Sequence, residues 1–248
     1  SRRKLPETAT YAVVPAMYGF RVIVAAADPR VNIISTTDFD VAYLQTENRV
    51  DPTTWVLIWY RNPHTGEREY TWIMGCIYGE QPAGHDWKHS LTHKMVVMGG
   101  FQEVLNMENM FYHPHWKVCV AVHVDDPIVL SMDEEGFKSV HDFLDDQFDT
   151  KGRKRLTVDN PIDYLSMELT LTEDFDILIT NQAKCIKLLE DAGKSDIIPT
   201  TMPPMTKAGL GAAMKEDELL SEDDNKLRLT DNGRFGWLAQ TTHIGLAV

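Results

Sequence analysis

The chain has 248 residues and a formal net charge of −13, from 24 Lys and Arg against 37 Asp and Glu. With 43 % hydrophobic and 25 % charged residues it is too apolar to be wholly disordered. Its length suits one large domain or two small ones, and its acidity argues against a protein that coats nucleic acid by bulk charge alone. No apolar run reaches the ~18–20 residues that cross a bilayer. The longest, 18–27, contains Arg21. The opening Ser1-Arg2-Arg3-Lys4, without an initiator Met or a signal-peptide core, is expected of a fragment or processed product that is not secreted. Cys76, Cys119 and Cys185 are odd in number and far apart, which predicts neither a disulfide framework nor a zinc knuckle and suits a reducing compartment.

In chain order, residues 8–27 carry a helical stripe (Val13, Met17, Phe20, Val24) broken by Pro15 and Gly19. Residues 32–44 read as a strand running into a turn past the acidic pair Asp38 and Asp40. Residues 54–60 and 69–78 predict a hairpin closed by Asn62-Pro63-His64-Thr65-Gly66. A helix is expected over 86–98, with Trp87, Leu91, Met95 and Met98 on one face and Gly99-Gly100 as its stop. Val118, Val120, Val122 and Val124 alternate, Asp125-Asp126-Pro127 interrupts them, and 128–130 resumes the apolar character, which predicts a hairpin with two carboxylates at its tip. A second amphipathic helix spans 134–148 on Phe137, Val140, Leu144 and Phe148. Residues 163–171 alternate, 175–179 can pair back on them, and 182–192 form a short helix stopped by Gly193. The proline-rich 199–204 and acid-rich 215–224 stretches read as linker or exposed loops, and 233–248 as an element cut short.

Asp125-Asp126 is the sharpest chemical feature. Adjacent carboxylates in a tight hairpin repel one another, and a hard divalent cation relieves that repulsion; oxygen donors favour Mg²⁺ or Mn²⁺ over zinc. Asp38, also at the end of an apolar strand, is the natural third ligand, and such strand-end carboxylates can form a two-metal phosphoryl-transfer site. The competing reading is a plain polar turn, which Asp and Pro also favour. His85, His89 and His93 line one helix face at a spacing that can bind zinc. With no Glu or Cys in that helix to complete the set, a solvated face is expected. No Gly-rich phosphate loop, Ser-His-Asp order or nucleophilic Cys stands out.

The motifs resemble, in order, those of the reverse transcriptase domain of copia-type LTR retrotransposon Pol polyproteins. The matching stretches are Glu7-Thr8 through Arg21-Val22, Asp38-Phe39-Asp40-Val41-Ala42-Tyr43-Leu44, Tyr78-Gly79-Glu80-Gln81 with Trp87, and His123-Val124-Asp125-Asp126. Tyr164-Leu165-Ser166-Met167-Glu168, the helix 182–193, Pro203-Pro204-Met205 and 236–248 follow in the family's order. The resemblance implies an α+β right-hand polymerase: fingers at 1–31 and 46–83, a palm with a split βαβ antiparallel sheet at 32–45 and 84–170, a thumb at 171–225, and at 226–248 the start of a connection toward RNase H. It implies RNA-directed DNA synthesis with two Mg²⁺ (or Mn²⁺) ions on Asp38, the Phe39 backbone, Asp125 and Asp126, one activating the primer 3′-hydroxyl and the other steadying the triphosphate. Ala42, Tyr43 (as steric gate against a 2′-hydroxyl) and Gln81 would meet the incoming nucleotide. His123, Tyr164, Leu165, Ser166 and Glu168 would place the primer. The implied partners are an RNA/DNA template-primer, dNTPs and the RNase H and integrase domains of a parent polyprotein, with no membrane, in the cytoplasm (within a virus-like particle) or the nucleus. His123 stands where the family has Tyr, Ser166 where it has Gly, and Gly84-His85 where Pro-Arg is usual. A decayed or co-opted, non-catalytic fragment that at most binds nucleic acid is the alternative.

Overall fold

The computed structural model describes residues 18–46, 56–73, 75–80 and 82–191. Gln81, the residues before Tyr18, the proline-rich and acidic stretches and the segment 226–248 lie outside them, as does most of the expected thumb. The chain divides into two compact units, 1–178 and 179–248. Among the described residues no helix is long and apolar enough to cross a membrane.

The first unit is built on a six-stranded antiparallel sheet of order β4-β5-β6-β7-β1-β8. Its strands are β1 (Ile33–Phe39), β4 (Gln102–Glu103), β5 (Met110–His113), β6 (Val118–His123), β7 (Asp126–Ser131) and β8 (Thr150–Arg155). A separate two-stranded hairpin joins β2 (Val56–Arg61) to β3 (Arg68–Ile73), paired residue for residue. The helices are α1 (Tyr18–Ala26), α2 (Ala83–Thr92) and α3 (Glu134–Gln147). Strand β1 is antiparallel to both β7 and β8. Strands β7 and β8 are therefore parallel to each other, joined through α3 and separated by β1, which is a split βαβ arrangement. The expected antiparallel, mixed α and β architecture is present.

Alternation assigns the two faces of this sheet. Val118, Val120 and Val122 of β6, Val129 of β7 and Phe39 of β1 turn toward the helices, where they pack with Trp87, Leu91 and Met95 of α2 and Val140 and Leu144 of α3 in the main core. Phe39 stacks on Phe148 with ring centroids 4.5 Å apart. Helix α1 packs on the opposite face, where a Cβ on Gly19 would lie 3.4 Å from the Ala121 Cβ. Its buried residues are Gly19, Phe20 and Ile23, so the stripe is centred one residue away from the expected Val24. Beyond β8, β9 (Ile162–Tyr164) and β10 (Met167–Leu171) form a hairpin, with β11 (Ile177–Thr180) as the third strand of a sheet of order β11-β10-β9. Of the second unit, α4 (Gln182–Asp191) is described.

Helix α2 departs from the simple pattern. It continues into a wide π turn over His93–Met98, capped by Gly99 N–H to the Lys94 carbonyl. The wider turn rotates the last residues, so Trp87, Leu91 and Met95 are buried while Met98 is exposed. Strand β8 (Thr-Lys-Gly-Arg-Lys-Arg) had no apolar pattern to predict it. It is an edge strand, where charge protects against further pairing.

One buried polar pair ties α3 to β1: Ser35 Oγ lies 2.9 Å from His141 Nε2, both side chains fully buried. Burial pushes the His141 imidazole down to about 4. The unfolded chain titrates it near 6.5, so it holds the His141 proton where the folded chain does not. Stability should therefore fall as pH drops from about 6.5 to about 4, by at most about 3 kcal/mol, and level off below. Melting curves across that range check this. The double variant Ser35→Ala/His141→Leu, which removes both partners at once, should fold and lose that part of the pH dependence.

Candidate active site

Strand register brings the predicted carboxylates together. Strand β1 pairs with β7 so that Thr36 faces Ile128. The Phe39 N–H donates to the Asp125 carbonyl at 2.8 Å, extending the same register to the strand ends. Asp38 and Asp126 thus come to one face of adjacent strands, on the side away from α2 and α3, with Asp125 in the turn beside them. Pro127, opposite Val122 of β6, has no N–H to donate, and the regular β1–β7 pairing stops beside it. The two-residue turn is Val124-Asp125, and Asp126 already begins β7, one step earlier than the expected interruption.

Two β-branched residues next to the carboxylates hold left-handed backbone, Val41 at φ 45° and Val124 at φ 56°. That conformation costs roughly 1–2 kcal/mol per non-glycine residue, and such strain persists where surrounding contacts impose it. At Val124 the contact is visible: the Trp87 indole N–H donates to its carbonyl at 2.8 Å. After Val41, the Gln45 side chain clasps β1 to the start of β8. Its Nε2 donates to the carbonyls of Asp40 (2.6 Å) and Asp149 (2.9 Å), and its Oε1 accepts from the Asp149 N–H (2.8 Å).

The electrostatics are those of crowded acids. Burial, then the charges of Asp125 and Asp38, push the Asp126 carboxyl up to about 6. Lys151 of β8 supplies a countercharge, its Nζ 2.6 Å from Asp40 Oδ1 and 3.8 Å from Asp38 Oδ2. Its hydrogen bond to Asp40 and the nearby acids hold the ammonium above its ordinary range. Asp38, Asp126, Lys151, Lys154, Asp163 and Tyr164 are among the residues lining a cleft of about 440 Å³ over β1 and β8. The donors are hard oxygens of the right chemistry for Mg²⁺ or Mn²⁺. Among the described residues, however, no three His, Cys, Asp or Glu side chains are already arranged as a metal-binding cluster. A cation here would have to draw the carboxylates inward. His85, His89 and His93 form no such cluster either, and the His85 ring lies 3.2 Å from Asp86.

The remaining predicted residues divide by exposure. Phe39 and Ala42 are fully buried, and the Phe39 N–H is committed to Asp125, so neither side chain is open to a ligand. Tyr43 is half-buried with its ring 4.6 Å from that of Tyr78. Burial and the Asp125 charge raise both phenols, which places both rings within electrostatic reach of that carboxylate. His123 closes the hairpin opposite Asp126, and burial pushes its imidazole down. Tyr164 is buried, stacked on Phe20 at 5.1 Å, and its hydroxyl donates to the Asp126 carbonyl at 3.3 Å. It braces the strand that bears Asp126. Leu165 (φ 50°) and Ser166 (φ 62°) form the β9–β10 turn, both left-handed. Glu168 is exposed directly opposite Asp163. Sequence reasoning did not single out Lys151, Gln45, the roles of Trp87 and Tyr164, or the strain at Val41 and Val124. Nothing local in the sequence marks any of these.

No family model matches the chain. In sequence it is similar to the Transposon Ty1-ER2 and Ty1-MR2 Gag-Pol polyproteins of Saccharomyces cerevisiae, each 25 % identical over 187 residues and covering 71 % of this chain. The match spans only 10 % of those polyproteins. Among solved structures, it matches a telomerase from Candida tropicalis at 10 % identity and TM-score 0.39, covering 66 % of this chain and 39 % of the other. It also matches a Candida albicans telomerase solved with a fragment of telomeric RNA, at 12 % identity and TM-score 0.38, covering 71 % and 36 %.

Two outcomes are expected from the site's geometry. In chelator at neutral pH, Asp126→Asn should melt higher than the parent, by about 1 kcal/mol once solvent screening of the half-exposed acid is discounted, because it removes crowded negative charge. Thermal unfolding measures this. Ser166→Gly should stabilise the β9–β10 turn by up to about 1 kcal/mol, since glycine takes positive φ without the side-chain penalty. An unchanged denaturation midpoint would count against the turn geometry.

Proposed function

We propose that this chain is the polymerase part of a copia-type retrotransposon polyprotein: an RNA-directed DNA polymerase that adds deoxynucleotides to a primer 3′-hydroxyl at Asp38, Asp125 and Asp126. One observation carries the reading: Asp38 and Asp126 share one face of adjacent strands beside Asp125 of the turn, near enough that burial and the two neighbouring charges push Asp126 up to about 6. The distant similarity to Ty1 Gag-Pol polyproteins supports it independently. Crowded, partly buried carboxylates on adjacent strand ends are poorly explained as a polar turn, because a turn gains nothing from burying charge.

Asp38, Asp125 and Asp126, with the Phe39 carbonyl, would hold Mg²⁺ or Mn²⁺. Bound there, the ions would supply Lewis acidity and charge neutralisation for phosphoryl transfer. The chain's own residues would supply alignment, which is most of what such a reaction asks of a protein. Trp87 and Tyr164 hold the carbonyls of Val124 and Asp126, fixing the hairpin tip against β1. Tyr43, whose ring packs on Tyr78, would meet a nucleotide sugar and act as the gate against a 2′-hydroxyl. Ala42 supports Tyr43 from the core. Gln81 would contact the nucleotide from the segment leading into α2. The primer end would lie along His123 and the Leu165-Ser166 turn and pass Glu168. RNase H and integrase domains of a parent polyprotein would be the covalent partners.

A second reading, a decayed copy without activity, is favoured by one observation. Asp163 and Glu168 face each other across the hairpin that would carry an anionic primer.

Primer extension on an RNA template with dNTPs and Mg²⁺ or Mn²⁺ decides between them. Template-directed extension is expected and should fall at least about a thousandfold in Asp125→Asn/Asp126→Asn, the order expected when the charge-stabilising part of a site is removed. Extension that survives the double variant would overturn the site. A folded chain that never extends would favour the decayed copy.

A further inference from the structure

The β2–β3 hairpin carries a surface that the carboxylate site does not use. Its register places Leu57 opposite Trp72, Trp59 opposite Tyr70 and Arg61 opposite Arg68, and period-two alternation puts all six on one face. That face is open: Leu57 is 50 %, Trp59 56 %, Tyr70 62 % and Trp72 59 % exposed. Large aromatic side chains usually bury most of their surface, and a contiguous exposed apolar patch marks an interaction site. The part-buried Ile58 and Ile73 lie on the other face.

Charge narrows the occupant. In a chain of net charge −13, this face has two arginines and no acid. The arginines sit directly opposite each other, a pairing that is unfavourable until an anion lies between or beside them. The Arg68 guanidinium carbon lies over the Trp59 ring, 4.3 Å from its centroid, and the Arg61 guanidinium donates to the Gly66 carbonyl at 2.9 Å. Same-face residues along a strand repeat every ~6.8 Å, twice the ~3.4 Å step of stacked nucleotides. Successive rings can therefore each take a base without distorting the strand.

We propose that the Trp59–Tyr70–Trp72 face of this hairpin, with Arg61 and Arg68, is a stacking platform for unpaired bases of single-stranded nucleic acid. It acts separately from the carboxylates and requires no divalent metal. Base stacking on exposed rings tolerates any sequence, and the two arginines meet the backbone phosphates.

The test is fluorescence anisotropy of the whole chain with a labelled oligothymidylate of about 12 nucleotides, in chelator, beside a blunt duplex of equal length. Tighter binding of the single strand, quenching of tryptophan emission, and an affinity loss of about tenfold or more in Trp59→Ala/Trp72→Ala are expected. Trp59→Phe/Trp72→Phe, which keeps the rings, should retain most of the affinity. Arg61→Gln/Arg68→Gln should flatten the salt dependence. Circular dichroism establishes that each variant is folded. Equal affinity in the folded alanine variant, or equal affinity for duplex, would overturn the proposal. So would self-association that the alanine variant abolishes while oligonucleotide binding persists. Because binding is measured without metal, a chain that binds here but does not extend primers when Mg²⁺ or Mn²⁺ is supplied would refute the polymerase reading and leave this one standing.

Discussion

One hydrogen bond organises the candidate site: the Phe39 N–H donating to the Asp125 carbonyl. It joins the end of β1 to the tip of the β6–β7 hairpin, and so brings acids from distant parts of the chain to one place. Phe39 itself serves two faces. Its ring locks into the core against Phe148 and Trp87, and its backbone fixes the hairpin. Core packing therefore sets the position of the acidic site directly, and a cavity at Phe39 would be felt at Asp38 and Asp125.

The site is held together at a local energetic cost. Val41 and Val124 occupy backbone that β-branched residues avoid, and Asp126 is raised by burial and its acidic neighbours. Trp87, Gln45, Tyr164 and Lys151 oppose that cost by bonding the backbone carbonyls and neutralising part of the charge. Such local cost persists only where surrounding contacts hold it in place. Lys151 holds two carboxylates at once, so any cation bound there competes with, or adds to, an existing ion pair.

The molecule is acidic overall and yet carries two basic or aromatic surfaces. Strand β8 presents Lys151, Arg153, Lys154 and Arg155, each paired with an acid of the first unit. The β2–β3 hairpin presents arginines that form no such pair among the described residues, beside three exposed rings. Net charge therefore says little about how this chain meets a polyanion. The local arrangement of charges decides, because screening confines each charge to about 10 Å.

Short-range pattern alone determined a good deal. Alternation in β6, the 3.6-residue period in α3 and the turn chemistry at Asn62–Gly66 identify elements found where they were expected, since periodicity and turn residues act within a few positions. Asp125-Asp126 was legible for the same reason, as adjacent acids between two apolar runs. Only the tertiary structure decided that the β1 register delivers Asp38 to Asp126, that the basic run 150–155 is a strand, and that α2 loosens into a π turn which exposes Met98. It also decided that Tyr164 is a buried brace for Asp126 and that two valines are forced into left-handed backbone. Each of these depends on pairing or packing between residues far apart in the chain, where the neighbour that sets the energy cannot be read from the local sequence.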